Sequence, residues 1–144
     1  MKKILFAADG SESALNAAKL ANQFLDVWPE ATVQVVYITQ VFSTAFGANV
    51  PSDFADEIAK EVKDRSMMAF KDHSDRVEFR HETNVASPGV VIAEIAKDEG
   101  FDLIVCGSHG RNAVNRFLLG SVSHGIVNRA EVPVLVAKQH ADEE

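Results

Sequence analysis

The sequence is poor in the features that hold unusual chains together. It has a single cysteine, Cys106, so no internal disulfide can form, and a lone free thiol suits a reducing compartment. Eight Gly and four Pro in 144 residues are too few for a collagen-like or disordered chain. No apolar run approaches the roughly 18 residues that a membrane span needs. Met1-Lys2-Lys3 followed by Ile4 to Ala8 faintly resembles a secretion signal, but its apolar stretch stops at Asp9, short of a signal's roughly 7–15 residues. Positive charge is scarce too: 14 Lys and Arg against 21 Asp and Glu leave a net charge of −7. That balance argues against non-specific binding to nucleic acid or an anionic membrane. The expectation is a soluble, cytoplasmic protein with no nucleic-acid or membrane partner.

What is present suits one ordinary domain. With 47% apolar and 24% charged residues, the chain can build a sizeable core and stay soluble. The domain is expected over residues 1–140, with an acidic tail over 141–144. Charge is unevenly spread. Residues 103–130 contain Arg111, Arg116 and Arg129 but no Asp or Glu, so that segment is +3 and the remainder is −10. A basic, glycine-bearing island in an acidic protein is a functional clue, although a loop facing acidic neighbours would look the same.

Strand and helix periodicities alternate. Ile4 to Ala8, Thr32 to Thr39, Leu103 to Cys106 and Val132 to Ala137 are short apolar or β-branched runs. Arg76 to Thr83 alternates, with Val77, Phe79 and His81 on one face, and reads as an edge strand. Runs buried on both faces suit a parallel sheet covered by helices. Helical spacings fill the gaps: Ser11 to Val27, Asp53 to His73, a helix opened by Ser87-Pro88 and closed by Gly100, and Ser121 to Arg129. Ser before Pro and Gly after the last turn are ordinary helix punctuation. Five strands and four helices predict one α/β domain. Gln40 to Ser52 is a long, oddly apolar connection, either a ligand lid or a flap over core or a second subunit.

The strongest motif follows the fourth strand: Gly107-Ser-His-Gly110-Arg111, nine residues from Arg111 to Leu119, then Gly120-Ser121-Val122-Ser123. Glycines after a buried strand let the backbone turn sharply and a ligand approach the main chain. Gly120 stands where the last helix begins, so nearby amides lack intrahelical partners. Those donors, the helix dipole and the Ser121 and Ser123 hydroxyls would suit phosphate. Arg111 or Arg116 could add charge. A Gly-terminated strand beside a Ser-capped helix would give the same letters with no ligand. Asp9-Gly10-Ser11-Glu12 ends the first strand. As structure, Asp9 or Ser11 caps the first helix, and Asp9 with Glu12 has capping-box spacing. As function, Asp9 at a strand's carboxyl end could meet a ligand's hydroxyl or amine.

Gly107-x2-Gly110-x9-Gly120-Ser121, with the flanking strand and helix, resembles the universal stress protein family in its ATP-binding branch. The likeness extends over Lys3-Ile-Leu, Asp9-x-Ser11, Ser87-Pro88 and the closing Val132-Pro133-Val134-Leu135-Val136. It implies an open five-stranded parallel sheet, order 3-2-1-4-5, with helices on both faces. The ligand crevice would lie between strands 1 and 4, at the topological switch point. The resemblance puts Ala7, Asp9 and Ile38 around adenosine and Gly107 near the ribose. It puts Gly110, Arg111, Gly120, Ser121, Val122 and Ser123 around the phosphates, with Cys106 lining the nucleotide. It implies ATP, or AMP or ADP in its place, with Mg²⁺ carried by the phosphates, and a homodimer joined along residues 132–138. Pro133 independently suits an edge strand, since it lacks the N–H of an interior one.

Other phosphate-binding designs fit less well. There is no G-x4-G-K-(S/T), and no G-x-G-x-x-G follows the first strand. A phospho-receiver would carry an acidic pair where only Asp9 stands. The five histidines, His73, His81, His109, His124 and His140, have no metal-ligand spacing. His109 and His124 flank the expected phosphate position. No catalytic residue is assigned. The function expected is a nucleotide-dependent stress-response switch, with a slow ATPase or autophosphorylating enzyme as the alternative.

Overall fold

A computed structural model describes residues 1–41, 52–109 and 119–138. The strands β1 (Lys3–Ala7), β2 (Thr32–Gln40), β3 (Val77–Asn84), β4 (Leu103–Gly107) and β5 (Val134–Ala137) form one sheet. Its order is β3-β2-β1-β4-β5 and every pairing is parallel, as expected. The helices are α1 (Glu12–Val27), α2 (Ser52–Ala69), α3 (Pro88–Asp98) and α4 (Ser121–Arg129).

Alternate residues of each central strand enter opposite cores, which is why these runs are continuously apolar. Phe6, Val33, Val35 and Val105 face α1 and α2, joining Ala17, Ala18, Ala21, Leu25, Val62 and Phe70. Leu5, Val36, Ile38, Ile104 and Cys106 face α3 and α4, joining Val91, Ile92, Ile95 and Ile126. The Ala stripe of α1 removes side-chain bulk between helix and sheet. Phe6 meets Phe70 edge-on at 5.9 Å. At the opposite end of the sheet, the Asp102 carboxylate accepts the amides of Lys2 and Lys3 at 3.0 and 2.9 Å. These bonds tie the start of β1 to the turn before β4.

Several boundaries differ from the sequence expectation for identifiable reasons. α1 is capped by Ser11, whose Oγ accepts the Ala14 amide at 3.1 Å, so the Asp9–Glu12 capping box does not form. α2 stops at Ala69 instead of His73, and a 3-10 helix spans Lys71–Arg76. There the Arg76 guanidinium donates to the carbonyls of Leu25, Trp28, Pro29 and Ala31, which pulls the chain off the helical path. β5 begins at Val134, two residues later than read, although Pro133 still accepts the Ile104 amide at 2.9 Å. Ser87 caps α3 through its backbone alone: its carbonyl takes the amides of Val90 and Val91, and its side chain makes no capping bond. β3 and β5 are the sheet's two edges. On β3, His81 stacks on Tyr37 at 5.4 Å, and Arg80 pairs with Glu82 and Glu99. No helix among the described residues is long and apolar enough to cross a membrane.

Candidate functional site

Strand β1 is flanked by β2 and β4, and the chain leaves β1 into α1 on one face and enters β4 from α3 on the other. A crevice therefore opens over the carboxyl ends of β1 and β4. Its cavity holds about 180 Å³. Ala7, Ile38 and Cys106 supply strand-end walls, Pro88 and Ile92 come from the first two turns of α3, and Val122 comes from the first turn of α4. Asp9, His109, Ser121 and Ser123 add polar groups. An apolar slot with a few polar groups at its rim is the usual build of a small-molecule site.

The β1–α1 turn is rigidly specified. Asp9 Oδ1 accepts the Ser11 amide at 2.8 Å, and Gly10 sits at φ +78°, where a Cβ would be strained. Arg65 of α2 donates to the Gly10 carbonyl and lies 3.5 Å from Glu12. Asp9 is thus held at the cleft by its own turn, and Ser11 does the capping.

The end of β4 is tied to α1 by buried serines. Ser13 Oγ accepts the amides of Ser108 at 2.8 Å and His109 at 3.2 Å. Ser11 Oγ donates to the His109 carbonyl at 3.3 Å. Gly107 owes its identity to this packing. A Cβ there would stand 2.6 Å from Ser13 Oγ and 2.7 Å from the Ser13 carbonyl carbon. The missing side chain makes room for α1, whereas the sequence suggested room for a ligand.

α4 begins at the cleft. Gly120 is its N-cap, at φ −68° and ψ 168°, a conformation open to any residue, so no positive φ explains this glycine. Its amide donates to the Ser108 carbonyl at 2.7 Å, and the first helical bond runs from His124 to Gly120. The amides of Ser121, Val122 and Ser123 therefore have no acceptor inside the helix, and the positive end of the helix dipole lies on the cleft. Gly89 of α3 lies against Gly125 of α4, and this close crossing brings Val122 beside Pro88 and Ile92. The Ser123 hydroxyl donates to the carbonyls of Ser108 and Gly120, both at 3.1 Å. Its proton thus braces the turn and is not directed at a ligand.

Ten of the residues singled out from the sequence line the cleft: Ala7, Asp9, Ile38, Cys106, Gly107, His109, Gly120, Ser121, Val122 and Ser123. Gly110 and Arg111 lie outside the described residues, as do Arg116 and residues 42–51 of the expected flap. Arg129 ends α4, where it lines a separate surface hollow with Glu94, Asp98 and Glu131, so it adds no charge to the cleft. His124 is exposed, its Nε2 within 2.9 Å of the Asn128 amide nitrogen, and it is not among the residues lining the cleft. Tyr37, Pro88 and Ile92 line the cleft and were not singled out. Ser87-Pro88 was the available signal, because a helix opening straight after a strand puts its first turn over the strand ends. Burial and, secondarily, the negative charge of Asp9 push the Cys106 thiol up to about 12, so at neutral pH it is a protonated, apolar wall. Among the described residues no cluster of three or more His, Cys, Asp or Glu could hold a metal ion.

Comparison with known proteins adds to this geometry. The family model described as the universal stress protein family matches residues 1–138. Universal stress protein MJ0577 of Methanocaldococcus jannaschii is 29% identical over 154 residues, covering 96% of this chain and 95% of that protein. Its solved structure superposes with a TM-score of 0.76 at 27% identity, covering 98% of each chain. A universal stress protein solved in complex with cAMP has a TM-score of 0.63 at 23% identity, covering 95% of this chain and 96% of that one. One from Archaeoglobus fulgidus solved with dAMP has 0.68 at 19%, covering 96% and 98%.

Proposed function

The chain belongs to the universal stress protein family, and from that premise we propose that it binds ATP in the β1–β4 cleft and acts as a nucleotide-dependent regulatory switch. The observation that carries this reading is the pairing, in one crevice, of an apolar slot with the open amides of α4. The slot of Ala7, Ile38, Cys106, Pro88 and Ile92 suits a flat base, with Asp9 beside the adenosine. The amides of Ser121, Val122 and Ser123 suit phosphate oxygens, with Gly107 near the ribose and Gly110, Arg111 and Gly120 completing the phosphate end. Two proteins of the same fold hold adenine nucleotides, cAMP and dAMP, which supports the ligand class. Mg²⁺ would be carried between the phosphates. AMP or ADP would fill the same slot with fewer phosphate contacts.

The reading as a switch rests on the chemistry of the lining. Hydrolysis needs a group to orient the attacking water and positive charge focused on the transition state. Among the described residues Asp9 is the carboxylate that lines the cleft, and in this reading it serves the adenosine end. A slow ATPase or autophosphorylating enzyme is the alternative. The same reading places the protein in the cytoplasm as a homodimer, joined antiparallel through β5 within residues 132–138. Calorimetry with ATP, with and without Mg²⁺, tests the proposal. Gly110→Val and Gly120→Val should each abolish binding in folded protein. Undiminished affinity in both would show that the site is wrongly placed.

A further inference from the structure

We infer that Tyr37 is the residue on which the aromatic ring of a ligand stacks in the cleft, so that the site selects phosphates that carry a base over bare polyphosphate. This deepens the nucleotide reading above and rests on it.

Tyr37 and His81 are cross-strand partners on β2 and β3. Their ring centroids lie 5.4 Å apart and the planes are 20° from parallel, so each ring covers one face of the other. β2 stands between β3 and β1. His81 therefore covers the Tyr37 face toward β3, and the opposite face is turned toward β1. On β1 the register pairs Ala7 with Val36, which puts Ala8 beside Tyr37. Ala8 and Ala14 of α1 belong to the core that Tyr37 packs against, and all three residues line the cleft. Two methyl groups thus stand where larger side chains would fill the space over the Tyr37 ring. No Phe or Trp among the described residues lines the cleft, so the large aromatic surface they offer is Tyr37's.

The ring's place is fixed before any ligand arrives. His81 Nε2 lies 2.7 Å from Thr39 Oγ1, and Thr39 is two residues beyond Tyr37, on the same side of β2. The threonine holds the imidazole and the imidazole backs the phenol ring, so little rotamer freedom is lost on binding. Sheet order then sets the direction in which a ligand lies. Ser108, straight after β4, is bonded to the start of α4. β4 is two strands from β2, or roughly 10 Å at the usual strand spacing. Phosphates on the α4 amides therefore place the ring-bearing end of a nucleotide toward β2. There Ile38 faces the α3 side and Tyr37 the α1 side, which gives that ring an aliphatic and an aromatic wall. Inorganic polyphosphate would use the α4 amides and leave Tyr37 untouched.

Tyr37 is the only tyrosine in the chain, so full-length protein labelled with ¹³C in its tyrosine ring gives NMR signals from this residue alone. Titration with ATP and Mg²⁺ should move those signals upfield through the ring current of adenine and give nuclear Overhauser contacts to the adenine protons. Sodium tripolyphosphate should leave them in place. By calorimetry, Tyr37→Leu should bind ATP about tenfold more weakly, the scale of one base–aromatic stack, and Tyr37→Phe, which restores the ring, should recover most of that loss. His81→Ala should weaken ATP binding less, and should add no further loss in the Tyr37→Leu background, as for a residue that acts through Tyr37. ATP binding that leaves the tyrosine signals unmoved, or equal shifts with tripolyphosphate, would overturn the stack and leave the nucleotide reading standing. So would a loss of tripolyphosphate affinity in Tyr37→Leu as large as that for ATP, or a loss in Tyr37→Phe equal to that in Tyr37→Leu. A parent that binds no ATP would overturn the nucleotide reading and the stack together.

Discussion

Exchanging the two glycines at the α3–α4 crossing for alanine, one at a time, should give opposite results. A Cβ on Gly89 would lie 2.9 Å from the Val122 carbonyl oxygen, 3.0 Å from Gly125 Cα and 3.1 Å from its carbonyl carbon. All three are backbone atoms, so no side chain can turn aside and α4 itself must shift by a few tenths of an ångström. A Cβ on Gly125 would lie 3.4 Å from Gly89 Cα and 3.9 Å from its carbonyl carbon, which is ordinary contact. Overpacking a tight site costs about 1–3 kcal/mol, whereas Gly to Ala inside a helix gains up to about 1 kcal/mol. Gly89→Ala should thus lose roughly 1–2 kcal/mol net, since its position in the first turn recovers little propensity. Gly125→Ala should be neutral or gain up to about 1 kcal/mol. Urea unfolding would read these as shifts in midpoint at constant m, and heating as about 3 °C per kcal/mol. Because Val122 lies in the first turn of α4, Gly89→Ala should also weaken ATP binding while Gly125→Ala leaves it intact. Equal losses in both variants, or a larger loss at Gly125, would refute the reasoning.

Four further outcomes follow from the same geometry. Gly107→Ala should destabilise by about 1–3 kcal/mol, because its Cβ meets Ser13 at 2.6 Å; a urea midpoint equal to the parent's would count against the packing role. The Cys106 thiol titrates near 12 in the folded protein against an ordinary 9.0, so the folded state keeps a proton that the unfolded chain releases. Stability should be fully present below pH 9 and fall between about 9 and 12, and unfolding midpoints of Cys106→Val should lose that slope. The Lys3 and then Lys2 amides hold the Asp102 carboxyl below its usual 3.8, so its contribution is present above that value and disappears as pH falls through the lower, folded one; Asp102→Asn should flatten the acid limb of stability. If β5 joins two copies, Val134→Lys should leave a 15.7 kDa monomer by light scattering, and a variant that dimerises like its parent would exclude that edge.

The parts of the fold legible in the sequence were those set by local pattern. Val33, Val35, Val36 and Ile38 read as a strand because both faces of that strand are covered, and Gly100 marked the end of α3 because the chain turns there at φ +72°. Ser121 to Arg129 was legible in full, since its cap and last turn are adjacent in sequence to ordinary breakers. Where long-range contacts decided, local pattern failed. Nothing near His73 announces that Arg76 will bind the carbonyls after α1 and so end α2 at Ala69.

The candidate site divides along the same line. Asp9, Gly107, Gly120 and Ser121 could be picked out because strand ends and helix starts carry recognisable residues. The role was not legible where it depends on a partner distant in sequence, as Gly107 depends on Ser13. Ser13 looks like an ordinary small residue in the first turn of a helix, yet its oxygen receives two amides from the end of β4. Gly107, in a motif that suggested ligand approach, is a glycine because α1 needs the space. These two facts are one contact seen from its two sides: the helix comes close enough for Ser13 to reach the Ser108 amide only because Gly107 has no Cβ. A substitution at Gly107 should therefore disturb the orientation of His109, even though the two side chains perform different tasks. The glycine spacing of the motif thus encodes a helix–strand approach as well as a turn, and the ring that meets the cleft is set by that approach.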